Sequence, residues 1–100
     1  MSCPNDVHAL AERLITLLDE RSLTIATAES CTGGAVSQAL TSVAGCSSVM
    51  RGAVVAYHND VKSGVLGVLP EMLATVGAVS EDVVCQMVCG VARLVMADCA

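Results

Sequence analysis

The sequence predicts an α/β fold, with helices packed on a small sheet, in an arrangement that reads as an incomplete α/β domain. Two kinds of local pattern carry this. Apolar residues recur at helical spacing near the start, middle and end of the chain, while Leu23 to Ala28 and Ala53 to Tyr57 are short stretches of the apolar and β-branched kind that form buried strands. Their order, α, β, α, β, α, α, α, is that of helices crossing over a parallel sheet.

Taken in order, Asn5 or Asp6 is placed to cap a helix whose face is Val7, Leu10, Leu14, Leu17 and Leu18, with Glu12, Arg13, Asp19 and Glu20 outside. The strand from Leu23 ends in the polar run Glu29, Ser30, Cys31, Thr32, Gly33, Gly34. Ala35, Val36, Ala39, Leu40 and Val43 then form a second stripe. A turn from Ala44 to Ser48 leads through Arg51 and Gly52 to the second strand. Asn59 or Asp60 starts a short helix carrying Lys62, and Pro70 fits the first turn of another that ends at Gly77. Ser80 with Glu81 and Asp82 is a helix start, and Val84, Met87, Val88, Val91 and Val95 form the last apolar face, ending near Met96.

Composition narrows the functional classes. Hydrophobic residues make up 54% of the chain and charged residues 15%, and Tyr57 is the one aromatic, so the core is built from small and aliphatic side chains. A net charge of -5 with five scattered basic residues argues against a nucleic-acid partner, which needs a cationic stripe. No apolar run reaches the ~20 residues that span a bilayer, and Met1 to Asp6 lacks the regions of a signal peptide. The expectation is a cytoplasmic protein without a membrane partner. The six cysteines lie in apolar-periodic segments without the CxxC spacing of a zinc site, so they are expected to be reduced, mostly buried thiols, and no metal or cofactor is expected. Cys85 and Cys89 are four apart on the last helix.

The polar loop lies between the end of a strand and the start of a helix, where open α/β sheets bind ligands. Glu29, Ser30, Cys31 and Thr32 bring a carboxylate, two hydroxyls and a thiol to that point, and Gly33 and Gly34 allow close backbone approach. The same run is also read as a capping turn with Thr32 as the N-cap. Cys31 is a nucleophile by position only, since no motif pairs it with a base, and His8 and His58 read as surface residues.

The string Ala26 to Gly34 resembles the opening signature of the CinA C-terminal domain family. The likeness continues in order: Gly45 with Ser47; Gly52, Val54, Val55, Ala56, Tyr57, Asn59 and Lys62; Leu66, Gly67 and Val68; and Gly77 to Glu81. Cys46, Ser48, Ala53 and His58 depart from its usual residues. The resemblance implies a single domain over 1–100, truncated at its C-terminus relative to the family, whose members continue into another strand and a Thr-Gly-x-Ala-Gly-Pro loop. It implies hydrolysis of nicotinamide mononucleotide to nicotinic acid mononucleotide and ammonia, a step of pyridine nucleotide salvage, without a cofactor.

Amide hydrolysis needs a nucleophile, a base and oxyanion donors. On the resembling positions Ser47 is the expected nucleophile and Lys62 the expected base, with Tyr57 orienting the lysine or stacking on the substrate ring. Ser48 and Ser30 are the alternative hydroxyls, and Glu29, Ser30, Thr32, Gly33 and Gly34 are expected to bind substrate. Ser47 and Lys62 bracket one strand, so they meet only if the Gly45 turn folds back beside the Asn59 helix. The alternative function is a non-catalytic nucleotide-binding or oligomerisation module of the same fold, and a homo-oligomer is expected because the chain is small, apolar and poor in strands.

Overall fold

The computed structural model describes residues 4–100. Helix α1 (Pro4–Glu20) leads to strand β1 (Ile25–Glu29) and helix α2 (Ala35–Thr41). A single 3-10 turn, Cys46–Ser48, precedes strand β2 (Met50–Val55), and helices α3 (Asn59–Gly64), α4 (Pro70–Thr75) and α5 (Glu81–Val95) follow. This is the expected order of elements. The two strands are parallel, with Glu29 opposite Val55, so the sheet has one C-terminal end.

Side chains alternate across β1, as a period of two requires. Ala26 and Ala28, with Val54 and Ala56, pack in the core formed with Leu66, Val68, Val83, Met87 and Val91. Thr27 and Glu29 instead bond Ser37 of α2, so α5 and α2 lie over opposite faces of β1. A second core, at the other end of the sheet, joins Ala11, Ile15 and Leu18 of α1 to Leu40, Val43 and Val49.

Several sequence expectations shift by one helical face. In α1 the covered stripe is Ala11, Ile15 and Leu18, whereas Leu10 is 59% exposed and Val7, Leu14 and Leu17 are exposed with it. The helix carries two apolar stripes, and the one containing the small Ala11 is the one that meets α2. The described part of α1 runs from Pro4, which places Asn5 and Asp6 inside the helix and not before it. In α5 the inward positions are Val83, Met87, Gly90 and Val91, and Val84 is 54% exposed. The second strand begins at Met50, three residues before its expected start, and Tyr57 lies beyond its end. The thiols are free, as expected, yet not mostly buried: Cys31, Cys85 and Cys89 are exposed, Cys46 and Cys99 partly so, and Cys3 lies outside the described residues.

Capping explains where the later helices start. α3 starts at Asn59, as expected, and His58 is its cap, its Nδ1 accepting from the Asp60 amide at 3.1 Å. Pro70 occupies the first turn of α4, and Ser80 caps α5 by accepting from the Val83 amide at 3.3 Å. The chain then returns to the sheet. Thr24 donates from both its amide and its hydroxyl to Asp98 Oδ2, at 2.9 and 3.0 Å, and Cys99 forms a parallel bridge with Ile25 on the edge of β1 that faces away from β2.

α5 is seated by an absence of side chain. A methyl group at Gly90 would stand 1.9 Å from the Leu66 carbonyl oxygen, so the helix touches the Leu66 backbone directly. Gly90→Ala is therefore expected to lower stability by about 3 kcal/mol through forced displacement of α5. Gly64→Ala, which meets nothing within 4 Å, should change it by less than about 1 kcal/mol. Urea denaturation of the two variants checks the contrast.

Candidate functional site

The C-terminal end of the sheet is organised by one carboxylate. Glu29, 5% exposed, ends β1 under the start of α2. Its Oε1 accepts from Thr32 Oγ1 at 2.6 Å and the Val36 amide at 3.0 Å, and its Oε2 accepts from the Ser37 amide at 2.8 Å and from Ser37 Oγ. Ser37 Oγ also lies 2.7 Å from Thr27 Oγ1.

The N-cap position of α2 is Gly34, at φ 110, which offers no side chain, so Glu29 supplies the capping acceptor from the preceding strand. Thr32 is accordingly not the N-cap; its hydroxyl points back to Glu29. Burial alone would raise the Glu29 pKa. The hydrogen bonds from Ser37 and Thr32 side chains and from the Ser37 and Val36 amides outweigh it and hold the carboxyl at about 2.

Both Glu29 oxygens accept hydrogen bonds inside the protein, so Glu29 shapes the loop while also lining the cavity beside it. Ser37 and Thr27, which complete the network, were not singled out from the sequence. The signal available was a serine three positions after the glycine pair, at the third helical residue, where a hydroxyl and an amide both face the preceding strand.

The loop that Glu29 shapes borders an open cavity of about 570 Å³, lined by Ser30, Cys31, Thr32 and Val36 on one side and by Val79, Ser80 and Val84 on the other. Ser30 is half-buried, Thr32 and Gly33 are exposed, and Gly34 is partly buried. Lys62 stands at the same end of the sheet. The Ala56 amide donates to the Glu29 carbonyl at 2.7 Å, which ties the end of β2 to the end of β1. Just beyond, Lys62, 4% exposed, donates from Nζ to the Tyr57 carbonyl at 3.1 Å. Tyr57 thus holds the lysine through its backbone, while its ring is 73% exposed.

Ser47 is not brought to this place. It lies in the turn before β2, and Lys62 follows β2, so a six-residue strand separates them. At ~3.3 Å per residue that is roughly 20 Å. The Gly45 turn does not fold back: the neighbouring Ser48 Oγ donates to Asp19 Oδ1 at 3.2 Å, at the end of α1, beside the opposite end of the sheet. Within one chain the expected Ser47–Lys62 pair is therefore not assembled. Ser30 and Lys62 share one end of the sheet; Ser47 and Ser48 occupy the other. The histidines are engaged away from Cys31, His8 with Glu12 at 3.6 Å and His58 as the α3 cap. Among the described residues no group of three or more His, Cys, Asp or Glu side chains could hold a metal ion, and no helix is long and apolar enough to cross a membrane.

The Glu29 network sets a pH dependence. A folded-state pKa of about 2 against an ordinary 4.5 means that the carboxylate's stabilisation is complete above about 4.5 and is lost as pH falls through about 2. Glu29→Gln is expected to cost about 2 kcal/mol at neutral pH, since its amide group cannot accept all four bonds. It should also flatten the decline between pH 4.5 and 2. Thermal unfolding of both proteins across that range measures the difference.

The comparisons with known proteins fit this architecture. A family profile described as the CinA C-terminal domain matches residues 7–100. A CinA-like protein of Pseudothermotoga lettingae is 43% identical over 91 residues, and one of Thermotoga maritima is 46% identical over 89. The alignments cover 91% and 89% of this chain but 22% of each relative. The crystal structure of competence/damage inducible protein CihA from Agrobacterium tumefaciens superimposes with a TM-score of 0.93 at 44% identity, over 98% of this chain and 60% of that one. A CinA superfamily protein from Escherichia coli gives 0.92 at 29% identity, over 98% and 58%. With its profile matched from Val7 to its last residue and its fold shared with these structures, the chain belongs to the CinA C-terminal domain family.

Proposed function

We propose that this domain takes part in hydrolysis of the carboxamide of nicotinamide mononucleotide, a cytoplasmic salvage reaction, with Lys62 as the base and Ser30 as the nucleophile available within the chain. The observation that supports it is the burial of Lys62 at the same sheet end as the hydroxyl-rich loop from Ser30 to Gly34.

In this reading Ser30 Oγ attacks the carboxamide carbon, and Lys62 Nζ takes the hydroxyl proton. Oxyanion stabilisation falls to loop amides other than those of Gly33 and Ala35, which donate to the Ser30 and Thr32 carbonyls. Collapse of the tetrahedral intermediate breaks the C–N bond, the proton passes from Lys62 to the leaving nitrogen, and ammonia departs. Water then attacks the ester, giving its proton to Lys62, and the carboxylic acid leaves with Ser30 restored. Thr32 serves binding, and its orientation comes from Glu29.

A second reading places Ser47 of another copy against Lys62. The uncovered apolar stripe of α1, with Val7, Leu10, Leu14 and Leu17, favours it, since a homo-oligomer would cover such a face.

Ammonia release from nicotinamide mononucleotide tests these readings. Lys62→Met is expected to slow turnover by about 10²- to 10⁴-fold, and Ser30→Ala by a similar factor. Ser47→Ala should leave most activity if the nucleophile lies in the same chain. If instead Ser47→Ala is as damaging, and mixing it with Lys62→Met restores turnover, the site is shared between copies. Full turnover by a folded Lys62→Met protein contradicts the mechanism, and nucleotide binding with no turnover in the unaltered chain supports a non-catalytic module.

A further inference from the structure

Helix α5 turns Val83, Met87, Gly90 and Val91 into the core, which leaves Cys85 and Cys89 on its outer face, both exposed. The two thiols stand one helical turn apart and line the same depression of about 310 Å³, together with Gly67, Leu69, Gln86 and Arg93. The helix beneath them is held against the Leu66 to Leu69 segment. Gly90 lies against the Leu66 backbone, and Gln86 Oε1 accepts from the Leu69 amide at 2.9 Å.

This spacing selects among the things two thiols can do. Side chains four apart on a helix have Cβ atoms roughly 5–6 Å from each other. A disulfide needs about 3.5–4.5 Å, so joining these two would require the helix to unwind. Two thiolates on opposite sides of one metal ion, each at about 2.3 Å, place their sulfurs about 4.6 Å apart, which fits the helical spacing. A four-coordinate zinc site is not available here, because among the described residues no group of three or more metal-binding side chains exists. An ion content with two soft ligands is needed, and thiolates select soft monovalent copper.

We propose that Cys85 and Cys89 form a two-coordinate site for a soft monovalent cation of the Cu(I) class. Binding exchanges two S–H bonds for two S–metal bonds and releases two protons, with no change in oxidation state. The product carries one net negative charge, and Arg93, one turn beyond Cys89 in the same depression, offsets it. The site is separate from the Ser30 loop and does not depend on the amidase reading.

The test is anaerobic titration of the reduced 100-residue chain with Cu(I) against a chromogenic Cu(I) chelator. The unaltered chain should draw one equivalent from the chelator. Cys85→Ser and Cys89→Ser should each weaken that equivalent at least tenfold, the double variant should lose it, and Cys31→Ser should leave it unchanged. On the unaltered chain one equivalent of Cu(I) should also protect Cys85 and Cys89 together from alkylation, read by peptide mass, which keeps the test independent of how the variants fold. Retention of the equivalent by the double variant overturns the proposal. So does alkylation of both thiols at the same rate with and without the ion.

Discussion

The buried carboxylate of Glu29 is the interaction on which the rest of the site depends. It closes β1, replaces the side chain that Gly34 cannot offer, and holds Thr32 and Ser37 in fixed positions. A buried charge of this kind persists only when donors surround it. Here two hydroxyls and two amides do so, and the consequence is a loop whose path is set by the strand before it. Gly33 and Gly34, at φ 63 and 110, let the backbone make the turn between that strand and α2. The hydroxyl of Ser30 and the amides of the loop are positioned as a result.

The remaining constraints bring other elements to the same end of the sheet. The parallel pairing of Glu29 with Val55 puts the segment after β2 beside the loop, and the Tyr57 carbonyl anchors the Lys62 amine there. Close contact of Gly90 with Leu66 seats α5, whose first turn, started by Ser80, forms the facing wall of the cavity. At the opposite end, Asp98 and Thr24 fasten the last residues to the beginning of β1. Each clamp is polar or steric. None requires a large aromatic core, which suits a chain whose one aromatic residue is exposed.

Much of this was legible in the sequence. Periodicity located the helices and strands, Ser80 and Pro70 marked helix starts, and the polar run after β1 marked the turn into α2. What periodicity could not decide was which of two apolar stripes on α1 would be covered, because Leu10 and Leu14 are as hydrophobic as Ile15 and Leu18. The choice depends on close approach at Ala11, a tertiary fact. The role of Glu29 was hidden for a similar reason: its partners Val36 and Ser37 lie across a turn, and amide donors leave no trace in residue type. The placing of Ser47 beside Lys62 failed on strand direction. Two residues bracketing a single strand stand at its two ends, and within one chain only a sharp reversal could have joined them.

The central claim is that the functional end of this domain is the one formed by the Ser30 loop and Lys62, at the C-terminal end of both strands. Titration of the isotopically labelled chain with nicotinamide mononucleotide, followed by backbone amide chemical shifts, tests it most directly. The account predicts that the shifts concentrate on Ser30 to Gly34 and on Tyr57 to Lys62, with Cys46 to Ser48 unmoved in the monomeric chain. Shifts centred on Cys46 to Ser48, with the Ser30 loop unchanged, would contradict it.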